Sequence, residues 1–204
     1  MDVFVETGTK RVFATAVDWP GWTRDAKTED DAIARLLEYR PRYEAAIGKK
    51  VRVGAIRVVE RRKGDASTDF GVAASPSSDA DDVDARQLKR LVEILQACWA
   101  AFDAAAEAAK GTTLAKGPRG GGRTLAKIVE HHERDGLGSY VMKLGGDTKH
   151  PDLRVAFLDA LDGRRRGEIP DRGPRGGTRW TPRQAIRRAA GHALDHAWEI
   201  EDRS

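Results

Sequence analysis

The chain has 204 residues, of which 40% are hydrophobic and 33% are charged, and its formal net charge is +4. This composition provides enough apolar material for the core of one large domain or two small ones. Many basic residues lie next to acidic ones, as in residues 60–63 (Glu-Arg-Arg-Lys), which indicates a mixed surface. A nucleic-acid partner is therefore not expected, because nucleic-acid-binding proteins usually concentrate Lys and Arg on one face.

The cysteine content and the hydropathy pattern indicate the cellular compartment in which the protein is expected. Cys98 is the single cysteine, so a disulfide within the chain is excluded, and we expect this residue in the core. The N-terminal residues lack the basic and apolar regions of a signal peptide, and no apolar run approaches the ~18 residues that a membrane span needs. These features predict a cytoplasmic protein without a membrane partner.

Strand signals dominate the first third of the chain. The pattern predicts a β-hairpin over residues 3–17, a helix that begins after Thr28, a strand over residues 51–59 and a short strand over residues 68–73. We therefore expect an α+β domain over residues 1–73, with a small antiparallel sheet and one helix.

This segment resembles the HicB-like fold. The similarity lies in residues 13–22 (Phe-Ala-Thr-Ala-Val-Asp-Trp-Pro-Gly-Trp) and residues 29–32 (Glu-Asp-Asp-Ala), which match a hairpin, a Pro-Gly corner and the start of a helix. The resemblance implies a domain that acts as a scaffold, covers a substrate or docks a partner, as in toxin–antitoxin pairs.

Helical patterns dominate the rest of the chain. Residues 74–84 are small, polar and acidic, so we expect a linker there. Apolar residues then recur with helical spacing, and Thr181 followed by Pro182 is typical of a helix start. The sequence predicts an all-α four-helix bundle over residues 85–204, with helices at about 84–109, 124–144, 151–161 and 181–202.

Two basic, glycine-rich segments precede the second and fourth of these helices. Residues 117–124 and 173–181 share the order Gly-Pro-Arg-Gly-Gly. Each is expected to be a connection, although backbone N–H groups at a helix start can also bind an anion. Binding of RNA or DNA through these segments is a further alternative.

The histidines indicate a metal site. Four of the five histidines lie in the helices that follow the two glycine-rich segments. His192 and His196 have i, i+4 spacing, which places both rings on one face of a helix, about 6 Å apart along its axis. Two imidazoles with this spacing can bind one metal ion, and His131 or His132 is the natural source of a third. Imidazole ligands suit zinc, nickel, iron or copper, and three of them leave a position open for water or a substrate.

Residues 180–203 resemble the last helix of DinB-like metal-binding four-helix proteins, with a Thr-Pro start and a His-x-x-x-His pair. Residues 124–131 resemble the second helix of that family, which ends in a histidine. By this resemblance the metal ligands are His131, His192 and His196. Helical periodicity instead places His132 at the centre of the apolar face, so His132 stays open as the alternative to His131.

The DinB-like resemblance implies a metal-dependent enzyme that acts on a small-molecule substrate. Members of that superfamily include S-transferases that use small thiols such as mycothiol or bacillithiol. The resemblance therefore implies such a transferase or a related hydrolase. The expected cofactors are a divalent metal, with zinc or nickel first, and a low-molecular-weight thiol. Arginines 119, 123, 175 and 179 are candidates to bind such an anionic thiol. The alternative is a non-catalytic binding or regulatory module with a structural metal, and the oligomeric state stays open, a homodimer being one option.

Overall fold

The structure is a computed structural model, and it describes residues 1–66, 68–71, 74–117 and 122–204. The strands are β1 (Asp2–Thr7), β2 (Val12–Ala16), β3 (Thr23–Ala26) and β4 (Arg57–Lys63). The helices are α1 (Glu29–Glu38), α2 (Arg40–Ile47), α3 (Ala85–Ala108), α4 (Leu125–Glu130), α5 (Gly138–Leu144), α6 (Leu153–Arg165) and α7 (Pro182–Arg203). A π-helical segment, His131–Leu137, joins α4 to α5.

The N-terminal strands form a mixed sheet with the order β3-β2-β1-β4. The predicted hairpin is present, since β1 and β2 pair in the antiparallel direction with Val5 opposite Ala14. The prediction of a purely antiparallel sheet is wrong, because β4 pairs with β1 in parallel. Helices α1 and α2 carry the chain back across the sheet between these two strands, which is the connection that parallel pairing requires.

The prediction of one helix in this part is also wrong. Helix α1 starts at the predicted N-cap, where the Thr28 side chain accepts a hydrogen bond from the Asp31 backbone N–H. It ends at Glu38, and Pro41 lies in the first turn of a second helix, α2. Proline has no N–H to donate and fits the first turn of a helix, so it begins a helix here rather than interrupting one.

The strand boundaries differ from the prediction as well. The predicted strand at residues 51–59 starts only at Arg57, because the Val51 N–H donates to Glu44 Oε1 at 2.9 Å instead of joining a ladder. Residues Thr68–Phe70 form a 3-10 turn where a strand was expected, and residues 72 and 73 lie outside the described residues. Strand β3 was not predicted.

The helical part agrees more closely with the sequence pattern. Asp84 caps α3 in a reciprocal capping box with Gln87, and Thr181 caps α7 by accepting from the Gln184 N–H. The predicted second helix is present as α4, the π-helical segment and α5, and it begins after Thr124. Within the described ranges, no helix has both the length and the apolar composition that a membrane crossing requires.

Helix α7 lies against three of the other helices. It packs along α3, and it also contacts α5, α6 and the π-helical segment. Helix α3 in turn reaches α6, where the rings of Trp99 and Phe157 meet at a centroid distance of 5.9 Å. Buried residues of the sheet and of the helices belong to one hydrophobic cluster. The helical packing places His192 of α7 beside Gly136 of the π-helical segment.

Helix α7 also contacts the N-terminal part. Arg187 donates to both carboxylate oxygens of Asp79 at 2.8 Å and to the backbone carbonyl of Val17 at 2.7 Å. The guanidinium of Arg24 lies between the rings of Tyr39 and Trp198, 4.0 and 3.9 Å from their centroids. The division into two domains with a linker at residues 74–84 stays a prediction.

Candidate metal centre

Helix α7 presents the predicted histidine pair on one face. The Nε2 atoms of His192 and His196 lie 3.0 Å apart. The His196 ring is almost fully buried, and that of His192 is half-buried. Ala189 and Ala193 on the same helix are buried, and their small side chains let neighbouring elements approach the backbone of α7 closely. The i, i+4 spacing therefore yields two imidazole nitrogens that face a common point.

His131 contributes the third imidazole from the start of the π-helical segment. Its Nε2 lies 3.3 Å from Nε2 of His192, and ligand nitrogens of all three histidines lie within 4.8 Å of one another. Two imidazole nitrogens bound to one tetrahedral zinc ion are about 3.3 Å apart, given Zn–N distances near 2.05 Å. The donor set and its spacing therefore fit a divalent metal ion, and these three residues could hold one.

The adjacent histidine, His132, occupies a different environment. Its ring is only 2% exposed and stacks on Phe102 at a centroid distance of 4.0 Å. Its centroid is 5.3 Å from that of His192. The helical periodicity thus correctly placed His132 at the centre of the apolar face, while His131 at the edge of that face belongs to the cluster of nitrogens.

The π-helical segment accommodates the His192 ring through a glycine. A Cβ added to Gly136 would lie 2.6 Å from Nδ1 of His192, and closer still to Cε1. No side chain larger than hydrogen fits at this position unless the imidazole moves. Single π-turns inside α-helices often occur at functional sites, and this one brings the backbone against a candidate ligand.

Hydrogen bonds to the second ring nitrogen differ among the three histidines. Nδ1 of His196 lies 2.8 Å from Glu199 Oε2, and Nδ1 of His131 lies 3.4 Å from Asp135 Oδ2. Within the described residues, Nδ1 of His192 is buried without a hydrogen-bond partner. The other carboxylate oxygen of Glu199 accepts from Arg203 at 2.5 Å. His196 is therefore the ligand with the most extended outer contacts.

Burial lowers the pKa of two of the candidate ligands, His192 and His131. Desolvation, followed by the nearby His196 ring, lowers the pKa of His192 to about 2. Desolvation also lowers the pKa of His131, and the positive charge of Arg123 adds to this effect. Neutral imidazoles are the form that binds metal, so no proton has to leave these two rings at neutral pH. The hydrogen bond from His196 is the main cause of the lowered pKa of Glu199, which stays ionised.

The structure separates the candidate anion-binding arginines. Arg123 lines a cavity of about 400 Å³ together with Lys116 and Arg203, next to the start of α4. Arg179 instead donates to the Pro170 carbonyl at 3.0 Å. Arg175 is exposed, and Arg119 lies outside the described residues. Of the three described arginines, Arg123 is the one whose charge lowers the pKa of His131.

Some residues around the centre were not identified from the sequence. Arg203 and Gly136 had no predicted role, and Tyr140, whose ring centroid is 5.8 Å from that of His192, was also missed. The glycines within an otherwise helical pattern at residues 136–138 were the available signal, because such glycines often have a packing reason. Arg203 carried no comparable signal.

Comparisons of this chain with protein-family models, with curated proteins and with solved structures found no match. The resemblances to DinB-like and HicB-like proteins therefore stay predictions.

Proposed function

We propose that this chain is a metal-dependent enzyme of the DinB-like type, which transfers a small thiol of the mycothiol or bacillithiol kind to a small electrophile or performs a related hydrolysis. The observation that carries the proposal is the convergence of His131, His192 and His196, whose ligand nitrogens lie within 4.8 Å of one another. These imidazoles come from two separate helices, as the family resemblance implies.

The proposal includes the architecture. In it, α3, the helix over residues 125–144, α6 and α7 form a DinB-like four-helix bundle, and the metal site lies between the second and fourth of these helices. The contacts of α7 with α3, α5 and the π-helical segment support this arrangement. The Trp99–Phe157 contact between α3 and α6 supports it as well.

The three-imidazole donor set favours an enzyme over a structural metal site. A four-coordinate ion with three protein ligands keeps one position for water or a substrate, as in catalytic zinc sites. A bound zinc or nickel ion would supply Lewis acidity that lowers the pKa of a coordinated thiol or water. The protein groups hold the three rings in place, keep those of His131 and His192 neutral, and limit the access of bulk water to His196, which is 6% exposed.

The charges beside the site suit an anionic thiol. Arg123 and Lys116 line the cavity of about 400 Å³ next to the start of α4. Basic side chains at such a position attract carboxylate or phosphate groups of a cofactor. An anionic thiol held there would have the positive charge of Arg123 close to both its acidic group and His131.

Metal analysis of the purified protein tests the proposal. We expect about one divalent ion per chain, lost in His192→Ala and in His131→Ala, because three ligands are needed for tight binding. His150→Ala is the matched control, since the His150 ring is engaged by the backbone at Asp152 in an exposed loop. A protein that binds neither zinc nor nickel would contradict the proposal.

Activity is measured next, with the metal-loaded protein, a low-molecular-weight thiol and an electrophilic acceptor. We expect consumption of the thiol that depends on the metal and disappears in His192→Ala. Metal binding without any thiol transfer or hydrolysis, together with a fourth protein ligand in the coordination shell, would favour the non-catalytic module instead.

A further inference from the structure

Glu199 lies between a candidate metal ligand and an arginine. One carboxylate oxygen, Oε2, is 2.8 Å from Nδ1 of His196, and the other, Oε1, is 2.5 Å from a guanidinium nitrogen of Arg203. The residues follow each other on α7 at spacings of three and four, so all three side chains lie on one face of the helix. They form a continuous chain of contacts that ends at the imidazole cluster.

We propose that Glu199 is a positioning residue, which holds the His196 ring with Nε2 unprotonated and directed at the cluster, and that Arg203 fixes Glu199 in the orientation this requires. The proposal rests on the metal-binding function proposed above. It adds a residue that touches neither metal nor substrate but determines which nitrogen of His196 is available to bind.

The assignment follows from the hydrogen-bonding capacity of the groups. An ionised carboxylate only accepts hydrogen bonds, so the 2.8 Å contact requires the hydrogen on Nδ1 of His196. A neutral imidazole carries one ring hydrogen, so Nε2 then has a free lone pair. That nitrogen lies 3.0 Å from Nε2 of His192, on the side of the cluster. The contact with Glu199 therefore selects the tautomer whose unprotonated nitrogen, Nε2, faces the cluster.

The rings of His131 and His192, the other two candidate ligands, are held less firmly by hydrogen bonds to Nδ1. The partner of His131 is Asp135, at 3.4 Å, and the Asp135 side chain is 72% exposed. Nδ1 of His192 is buried and, among the described residues, has no hydrogen-bond partner. Carboxylate partners of metal-bound histidines orient the ring and raise its basicity. Glu199 is therefore the residue expected to contribute most to the preorganisation of the site.

Arg203 supports Glu199 from a well-anchored position. Its guanidinium donates to the carbonyl oxygens of Ala115 at 2.8 Å and Arg123 at 2.9 Å, in addition to Glu199. The Arg203 side chain is only 7% exposed, so it is fixed by both packing and hydrogen bonds. Through Arg203 and Glu199, hydrogen bonds connect the backbone at Arg123, just before α4, with the ring of His196.

A purely structural role is the competing explanation. In that case Glu199 would serve only to neutralise Arg203, and Arg203 would serve only to hold the backbone at Ala115 and Arg123 against the end of α7. The two explanations differ in what they predict for the His196 ring, because only positioning requires a particular tautomer.

The test uses Glu199→Gln in the full-length, metal-free protein at pH 7. The glutamine carbonyl can accept from Arg203, which leaves its NH2 group facing Nδ1 of His196. That NH2 group donates, so it favours the tautomer with the hydrogen on Nε2, and the nitrogen that faces the cluster then has no lone pair for a metal. The matched control is Glu201→Gln, which makes the same charge change on α7 at an exposed residue paired with Arg42.

Two measurements are made on each protein. Long-range ¹H–¹⁵N NMR of the histidine rings reports the tautomer of His196 without any metal. Competition titration with zinc reports the affinity. We expect Nδ1–H in the wild type and in Glu201→Gln, a shift towards Nε2–H in Glu199→Gln, and a loss of zinc affinity of about 10–100-fold in Glu199→Gln alone.

The outcomes decide between the explanations. If Glu199→Gln lowers only the melting temperature, while tautomer and zinc affinity match those of the control, Glu199 is structural and the proposal is wrong. A wild-type His196 with the hydrogen on Nε2 would also overturn it, and this result needs no variant to fold. If the wild type binds no zinc, the proposed function fails, but the tautomer comparison still tests the positioning role separately.

Discussion

Replacement of Gly136 by alanine should separate metal affinity from folding stability. Gly136 lies in the π-helical segment, at a position where an added Cβ would be 2.6 Å from Nδ1 of His192. Its φ is not positive, so alanine fits the backbone without strain. The added methyl group therefore meets the imidazole while the backbone gains a better helix former.

The methyl group should lower the zinc affinity, whereas the higher helix propensity of alanine should stabilise the metal-free protein. Both effects can be estimated. The ring must move by about 1 Å to reach an ordinary contact distance of about 3.5 Å. Binding sites need their groups within about 0.5 Å of the productive geometry, so a loss of about 10–100-fold in zinc affinity is expected, or about 1.4–2.7 kcal/mol. Glycine in a helix costs about 0.5–1 kcal/mol relative to alanine, which offsets part of the steric cost in the metal-free protein.

The assay combines zinc competition titration with thermal unfolding of the metal-free protein. The matched control is Gly138→Ala, two residues further on, where the nearest heavy atom to an added Cβ is Leu153 Cδ1 at 3.7 Å. We expect Gly138→Ala to keep its zinc affinity and Gly136→Ala to lose it. Equal zinc affinity in the two variants would refute the claim that Gly136 makes room for His192.

Three further results are expected. Asp79→Ala should lower the free energy of unfolding by about 3–5 kcal/mol in urea titrations, because it leaves the arginine of a buried ion pair uncompensated; the exposed Asp81→Ala should have little effect. Glu44 has its pKa lowered to about 2, first by the N–H of Val51, so it stabilises the fold above pH 4.5 and loses this contribution as the pH falls towards 2. In Glu44→Gln, the free energy of unfolding should therefore fall less steeply than in the wild type as the pH is lowered from 4.5 towards 2. Burial raises the pKa of Cys98 to about 12, so Ellman's reagent should label it only after unfolding.

Helix positions could be predicted because their signals are local. The Thr-Pro pair at 181–182 and the apolar stripe that follows are contained in one segment, and α7 begins at Pro182 as expected. The same holds for Thr124 and the helix after it. In each case a cap satisfies free backbone N–H groups within a few residues, so no distant part of the chain is needed for the inference.

The sheet could be predicted only in part, because its pairing is non-local. The β1–β2 hairpin follows from adjacent segments, but the parallel partner of β1 lies about fifty residues further along the chain. Strand β3 has the sequence Thr-Arg-Asp-Ala, which carries no apolar alternation. Its position as an edge strand comes from the turn at residues 19–22, where the Trp22 N–H donates to the Trp19 carbonyl.

The candidate site follows the same division between local and distant signals. The spacing of His192 and His196 on one helix was sufficient to place both rings together. The choice between His131 and His132 could not be made from periodicity, because it depends on a π-helical segment and on Phe102 from another helix. The role of Arg203 depends on backbone carbonyls about eighty residues away, which no pattern on α7 reveals.

Helix α7 carries both the contacts to the sheet and two of the three imidazoles. Arg187 attaches it to β2 and Asp79, and Trp198 attaches it to Arg24, on either side of the histidine pair. A tilt of this helix would move the rings of His192 and His196 together while His131 stays with its own helix. Any partner that displaces α7 from the sheet would therefore change the metal affinity, and by reciprocity the metal would change the affinity for that partner.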